Sequence, residues 1–226
     1  MTTTSTVYTE ETDPFCLPEP VLVELLADVP YRRFAVCGDS LSRGTGDPTP
    51  GYRDLGWSDR VGGLLRTAHP DAAYLNTAVV GATTGQALRE QVEDIVAFAP
   101  DLLLVPSGAN DIMRPTPDFA AVEQTLRRMW DIAAGTGARL LVFTFGRAFV
   151  VPAFDDWHDR ITRLNELTRT LAAEHGALLL DWWPHPVNDR ENLLSPDRIH
   201  WSTSGQAVMA TGVVQALAAD VRSPAA

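Results

Sequence analysis

Two rhythms of apolar residues alternate along the chain. Short, mostly apolar runs occur at 34–37, 73–77, 102–106, 140–145 and 177–180, that at 102–106 continuous. Runs of that length, apolar at most or all positions, fit strands buried on both faces. Between them lie stripes at helical spacing: Val61, Leu64, Leu65 and Ala68; Leu88, Val92, Ile95 and Ala99; Val122, Leu126, Met129 and Ala133; Ile161, Leu164, Leu167 and Leu171; Ala207, Ala210, Val214, Leu217 and Val221. A further short helix is expected within 17–29, where Val21, Leu22, Leu25 and Leu26 follow two prolines. Breakers close the stripes at His69-Pro70, Pro100, Gly135 with Gly137, and His175-Gly176. Five β–α units with two-sided strands predict a parallel sheet between layers of helices, in one domain over 15–226. The Gly- and Pro-rich stretch 42–56 fits no element, and its place after the first strand makes it a wall of whatever that strand presents.

Composition narrows the chemistry. The formal charge of −11 argues against nucleic acid or an anionic membrane as partner. All 18 basic residues are Arg, so a Walker phosphate loop, a Ser–Lys dyad and a Schiff-base lysine are excluded. Cys16 and Cys37 lack metal-ligand spacing, and Cys37 falls inside the first strand as a buried thiol. Residues 1–14 are polar and Thr-rich, with neither a basic nor an apolar signal region, and read as a disordered leader of a cytoplasmic protein.

In open α/β sheets ligands bind beyond the carboxyl ends of the strands. Strand one is followed by Gly38-Asp39-Ser40, strand two by a turn containing Gly81, and strand three by Ser107-Gly108-Ala109-Asn110-Asp111. Strand five and a long loop lead to Asp197-Arg198-Ile199-His200-Trp201. The set suits acyl transfer. A serine hydroxyl needs a base to take its proton, and His needs an acceptor at its other ring nitrogen. Asp197, three residues before His200, can reach Nδ1 in one turn and leave Nε2 for Ser40. The Ser40 and Gly81 N–H groups and the Asn110 amide are candidate oxyanion donors, each worth about 3–4 kcal/mol in the transition state.

These blocks resemble those of the SGNH hydrolases, also called GDSL esterases/lipases. Gly38-Asp39-Ser40-Leu41-Ser42 is similar to the family's first block, Gly81 fits the second, Gly108-Ala109-Asn110-Asp111 the G-x-N-D block and Asp197 to His200 the D-x-x-H block. The resemblance runs from about Phe34 to the C-terminus, in the family's order. It implies a three-layer α/β/α, flavodoxin-like fold with Ser40 as nucleophile, His200 as base, Asp197 as its orienter, and Ser40, Gly81 and Asn110 as the oxyanion hole. It also implies a small-molecule ester substrate and no metal or organic cofactor. The all-Arg basic content and the stretch from Gly51 to Trp57 resemble cytoplasmic actinobacterial members. Two positions depart from the common pattern: Arg43, where many members have an acidic residue, and Val80, where relatives often have a polar one. No G-x-S-x-G elbow of the α/β-hydrolase type is present.

Other residues have plainer readings. Asp39 is expected to fix its turn, and Asp111 to cap the helix after strand three. His69 and His175 stand at helix ends, His158 on a surface helix, and His185 is the one rival base, without an Asp three residues upstream. Arg43, Arg147 and Trp201 are candidate substrate contacts. An acyltransferase using the same acyl-enzyme, or a non-catalytic binding module on the same scaffold, are the alternatives to a serine esterase.

Overall fold

The structure is a computed structural model, and it describes residues 8–222. In chain order the elements are α1 (Glu19–Leu26), β1 (Arg33–Val36), α2 (Ser40–Arg43), α3 (Trp57–Ala68), β2 (Ala73–Asn76), α4 (Thr84–Glu90), α5 (Val92–Phe98), β3 (Leu102–Leu104), α6 (Ala109–Ile112), α7 (Phe119–Gly135), β4 (Arg139–Phe143), α8 (Trp157–Glu174), β5 (Leu178–Leu180) and α9 (Thr203–Arg222). A 3-10 turn spans Pro186–Asp189.

All four strand pairings are parallel, in the order β2-β1-β3-β4-β5. This is the flavodoxin-like order. Helices α1, α3 and α9 pack together on one face, and α4, α5, α7 and α8 on the other, which completes the three-layer α/β/α sandwich. Phe34, Leu102, Leu104 and Leu141 are fully buried in a contiguous core. The strand interiors are apolar because helices cover both faces of the sheet, and the polar residues Arg33, Asn76 and Arg139 stand at strand ends. The chain leaves β1 toward β2 on one side and β3 toward β4 on the other. The switch point of the strand order therefore lies between β1 and β3, whose carboxyl ends lead to Ser40 and Asn110.

Three local expectations are corrected. The stripe read as one helix through 88–99 is two helices, broken at Gln91, whose side chain turns inward to bond the backbone at Gly38. Part of the expected disordered leader is bound to the domain. Glu10 accepts from Arg60 at 2.5 Å and its N–H donates to Gly51 O. Asp13 is buried, accepting from the Tyr52 hydroxyl at 2.8 Å and from Arg190 at 2.5 Å. Composition could not see these partners, which lie about 40 and 180 residues away in the chain. Residues 1–7 of that leader lie outside the described residues. Finally, the 42–56 loop begins with one helical turn, α2, closed by Gly44 at φ +81°.

Candidate active site

Strand β1 delivers Gly38 in the left-handed half of the backbone map, at φ +143°. A Cβ there would collide with Ser42 Oγ, so only glycine fits both the conformation and the space. Asp39 is the N-cap of α2, its Oδ1 accepting from Leu41 N at 3.0 Å and its Oδ2 from Asn110 Nδ2 at 3.2 Å. Ser40 is the first residue of that helical turn and is 7% exposed.

The segment bearing His200 is the tip of a small hairpin. Leu194 and Trp201 form an antiparallel bridge, and Ser195 N donates to His200 O at 2.7 Å. Asp197 Oδ1 accepts from the N–H groups of Ile199 and His200, and Arg198 sits at φ +59° to make so tight a turn. The turn leaves Asp197 Oδ2 2.7 Å from His200 Nδ1, and His200 Nε2 2.8 Å from Ser40 Oγ. An ionised carboxylate only accepts, so Nδ1 carries the ring proton and Nε2 is free to accept the serine hydroxyl.

The carboxylates differ in environment. Partial burial would raise Asp197, but the His200 ring and the two N–H groups outweigh it and hold the carboxyl below its ordinary value. It stays ionised beside the imidazole. Burial pushes Asp39 up to about 6, with nearby Asp111 adding to the rise and the N–H groups of Leu41 and Ser42 opposing it. Asp39 thus holds the turn and anchors Asn110. Asp111 does not cap the helix after β3: its Oδ2 accepts from Thr84 N and Thr84 Oγ1, both at 2.9 Å, at the start of α4. It thereby ties the turn after β2 to the Asn110 loop.

Among the described residues, no acceptor engages the backbone N–H of Ser40 or of Gly81. Gly81 is exposed, at φ +78° in a turn whose Val79 N donates to Gly38 O at 3.1 Å, bringing that turn beside β1's end. Asn110 Nδ2 is bonded to Asp39 Oδ2 and Ala82 O, so an oxyanion would have to take one of these bonds over. Val79 and Val80 are exposed beside the turn, Val80 by 63%.

The candidate substrate contacts divide. Arg43 is exposed, with no hydrogen bond or ion pair from its guanidinium among the described residues. Arg147 is committed to Asp189 at 2.6 Å. Trp201 is corrected to a core residue: its ring is buried edge-on against Phe143, with centroids 5.2 Å apart. The rival His185 accepts from Val187 N through Nδ1 and packs on Trp182 and Phe15.

Sequence reasoning missed the buried amides. Gln91 accepts from Gly38 N at 2.9 Å and donates to Gly38 O at 2.8 Å. Gln206 bonds Trp57 N, Thr45 O and Trp201 O. Gln91 falls within the apolar stripe that spans 88–99 and Gln206 beside the stripe of α9, and a polar residue there was the available signal.

Among solved structures, the acetylxylan esterase Axe2 of Geobacillus stearothermophilus is 21% identical, with 82% of this chain and 94% of that chain covered and a TM-score of 0.66. The psychrotrophic esterase EstA of Pseudoalteromonas sp. is 16% identical, with 84% and 99% covered and a TM-score of 0.67. At such identity these likenesses speak to the fold. An arylesterase of Vibrio mimicus is 28% identical over 111 residues, 49% of this chain and 53% of the relative, so the chain spans about half the length of that curated protein. Residues 36–208, well over half the chain, match the family model for GDSL-like lipases and acylhydrolases. The chain belongs to the GDSL-like lipase/acylhydrolase family.

Proposed function

We propose that the protein is a serine carboxylesterase working through an acyl-enzyme. The observation that carries the reading is the unbroken hydrogen-bond path from Ser40 Oγ through the His200 ring to Asp197 Oδ2, at 2.8 and 2.7 Å. Ser40 Oγ attacks the ester carbonyl as His200 Nε2 takes its proton, and ionised Asp197 stabilises the imidazolium. The carbonyl oxygen becomes an oxyanion facing the free N–H groups of Ser40 and Gly81, with Asn110 Nδ2 as third donor. Collapse expels the alcohol, which leaves with the proton from Nε2. Water, deprotonated by the same nitrogen, then attacks the acyl-Ser40 carbonyl, and collapse releases the acid as Nε2 returns the proton to Ser40 Oγ. The valines beside Gly81 favour a small apolar acyl group, and the acetyl group in the name of the acetylxylan esterase fits that choice.

The test uses p-nitrophenyl esters graded in acyl length, with Ser40→Ala as control. Hydrolysis should be fastest with short acyl groups and should vanish in the variant. A fluorophosphonate probe should add one adduct, at Ser40, in an intact-mass measurement. Full activity in Ser40→Ala would refute the mechanism.

A further inference from the structure

We propose that Gln206 is a positioning residue that sets the separation of Ser40 from His200. The inference rests on the nucleophile–base reading above and adds what holds that pair at bonding distance. Gln206 lies in the first turn of α9, six residues after His200, and is 1% exposed. Its side-chain Oε1 accepts from Trp57 N at 2.9 Å, an N–H that α3 leaves unpaired at its start. Its Nε2 donates to Thr45 O at 3.1 Å and to Trp201 O at 3.2 Å. Thr45 N in turn donates to Ser40 O at 3.0 Å, and Trp201 adjoins His200 in the chain.

One amide therefore stands between the backbone of the nucleophile's turn and the backbone of the base. Two carbonyl oxygens from the two sides converge on a single NH2. Without that donor, two acceptors would face each other in a buried space, and each would lose its partner. The segments relieve this by parting, and the Ser40–His200 bond lies on the line of parting. Other bonds join the same segments farther from the pair: Asp47 N to Ser195 Oγ, Thr203 N to Asp47 O and Thr49 N to Thr203 Oγ1. Gly46 lets the loop approach this closely, because a Cβ there would run into the Trp201 carbonyl. These keep the loop docked when Gln206 is replaced, so the expected effect is a shift of the pair and not the loss of the fold. A misplacement of about 1 Å at reacting atoms costs on the order of 100-fold in rate.

The full chain is tested as Gln206→Met, which keeps the volume and removes the bonds, and as Gln206→His, which keeps a ring N–H donor. Asn165→Leu is the control: Asn165 is equally buried and brackets the Phe145 peptide with two bonds, but it joins neither Ser40's nor His200's segment. In Q206M, kcat on p-nitrophenyl acetate and the rate of fluorophosphonate labelling should fall together about 10- to 100-fold, with KM within about twofold. Q206H should fall between Q206M and the wild type. N165L should lose comparable thermal stability and keep kcat within about threefold. In 15N spectra of the imidazole, the His200 Nε2 signal should move in Q206M toward its position in Ser40→Ala, and stay in N165L.

Wild-type kcat in Q206M, or an equal loss in N165L, would overturn the proposal. A wild type inert to esters and probe alike would instead refute the esterase reading, and the Nε2 signal would still decide the role of Gln206.

Discussion

Replacing Asp39 by Asn should make the protein more stable at neutral pH, although it removes a hydrogen bond. The Asp39 carboxyl is buried at the end of β1, and burial raises it from an ordinary 3.8 to about 6. In the unfolded chain it ionises near its ordinary value. Between about pH 4 and 6 the folded state therefore binds more protons than the unfolded state, and this group's contribution to stability falls as pH rises. A difference of about two units at about 1.4 kcal/mol each makes the cost about 3 kcal/mol above pH 6 and close to nothing below pH 4. Asn cannot ionise. It keeps an oxygen for the Leu41 N–H but sets an NH2 against Asn110 Nδ2, losing one bond worth about 1 kcal/mol. D39N should thus be less stable than wild type by about 1 kcal/mol at pH 4 and more stable by about 2 kcal/mol at pH 7. The assay is urea unfolding of both proteins in half-unit steps from pH 4 to 8. The change in ΔΔG between pH 4 and 7 is the decisive quantity, because the lost bond cancels in it. A flat ΔΔG across that range would show that Asp39 is not buried as a costly anion, and the argument would fail.

Asp197→Asn should lower kcat by about 10³–10⁴ with the fold retained, since an amide cannot both orient the protonated Nδ1 and stabilise an imidazolium; steady-state kinetics beside a thermal melt checks it. Because Asp197 is held below its ordinary value, its contribution to stability is present above the ordinary carboxylate range and lost as pH falls through the depressed value. In Asp197→Asn that acid-side step should be missing from the pH-stability curve. Arg198→Gly relieves a residue at φ +59° and should stabilise the fold by about 0.5–1 kcal/mol, the left-handed cost less glycine's added chain entropy, read as a rise in Tm. Asp13→Ala strands the buried Arg190 guanidinium and should cost about 3–5 kcal/mol in chemical denaturation. A cost below about 1 kcal/mol would mean that the N-terminal segment does not dock as described.

Much of the fold could be read locally. The five runs coincide with the five strands to within a residue or two at each end, because the middle of a strand covered on both faces has apolar side chains on both. Helix α7 follows its stripe closely, with Asp118 as a cap that accepts from Ala120 N and Ala121 N. The split at Gln91 was hidden because apolar spacing runs straight through it, and what breaks the helix is a bond to a residue 53 positions away. Asp111 misled for a related reason. Its capping chemistry was legible, but the N-terminus it serves belongs to α4, 27 residues earlier.

The sequence by itself determined the layer architecture, the order of the polar segments on one rim and the residue types a serine hydrolase needs, since periodicity and composition are local properties. It also carried the turn in which Asp197 meets His200, because three residues suffice for it. Only the tertiary structure decided that His200 Nε2 comes within 2.8 Å of Ser40 Oγ across 160 residues. Likewise only the fold buried Asp39 far enough to raise its carboxyl, engaged the Asn110 amide, turned Trp201 into the core and gave Gln91 and Gln206 their partners. The physical reason is common to them all: desolvation and hydrogen bonding depend on what the fold brings alongside a side chain, and no window of sequence contains that neighbour.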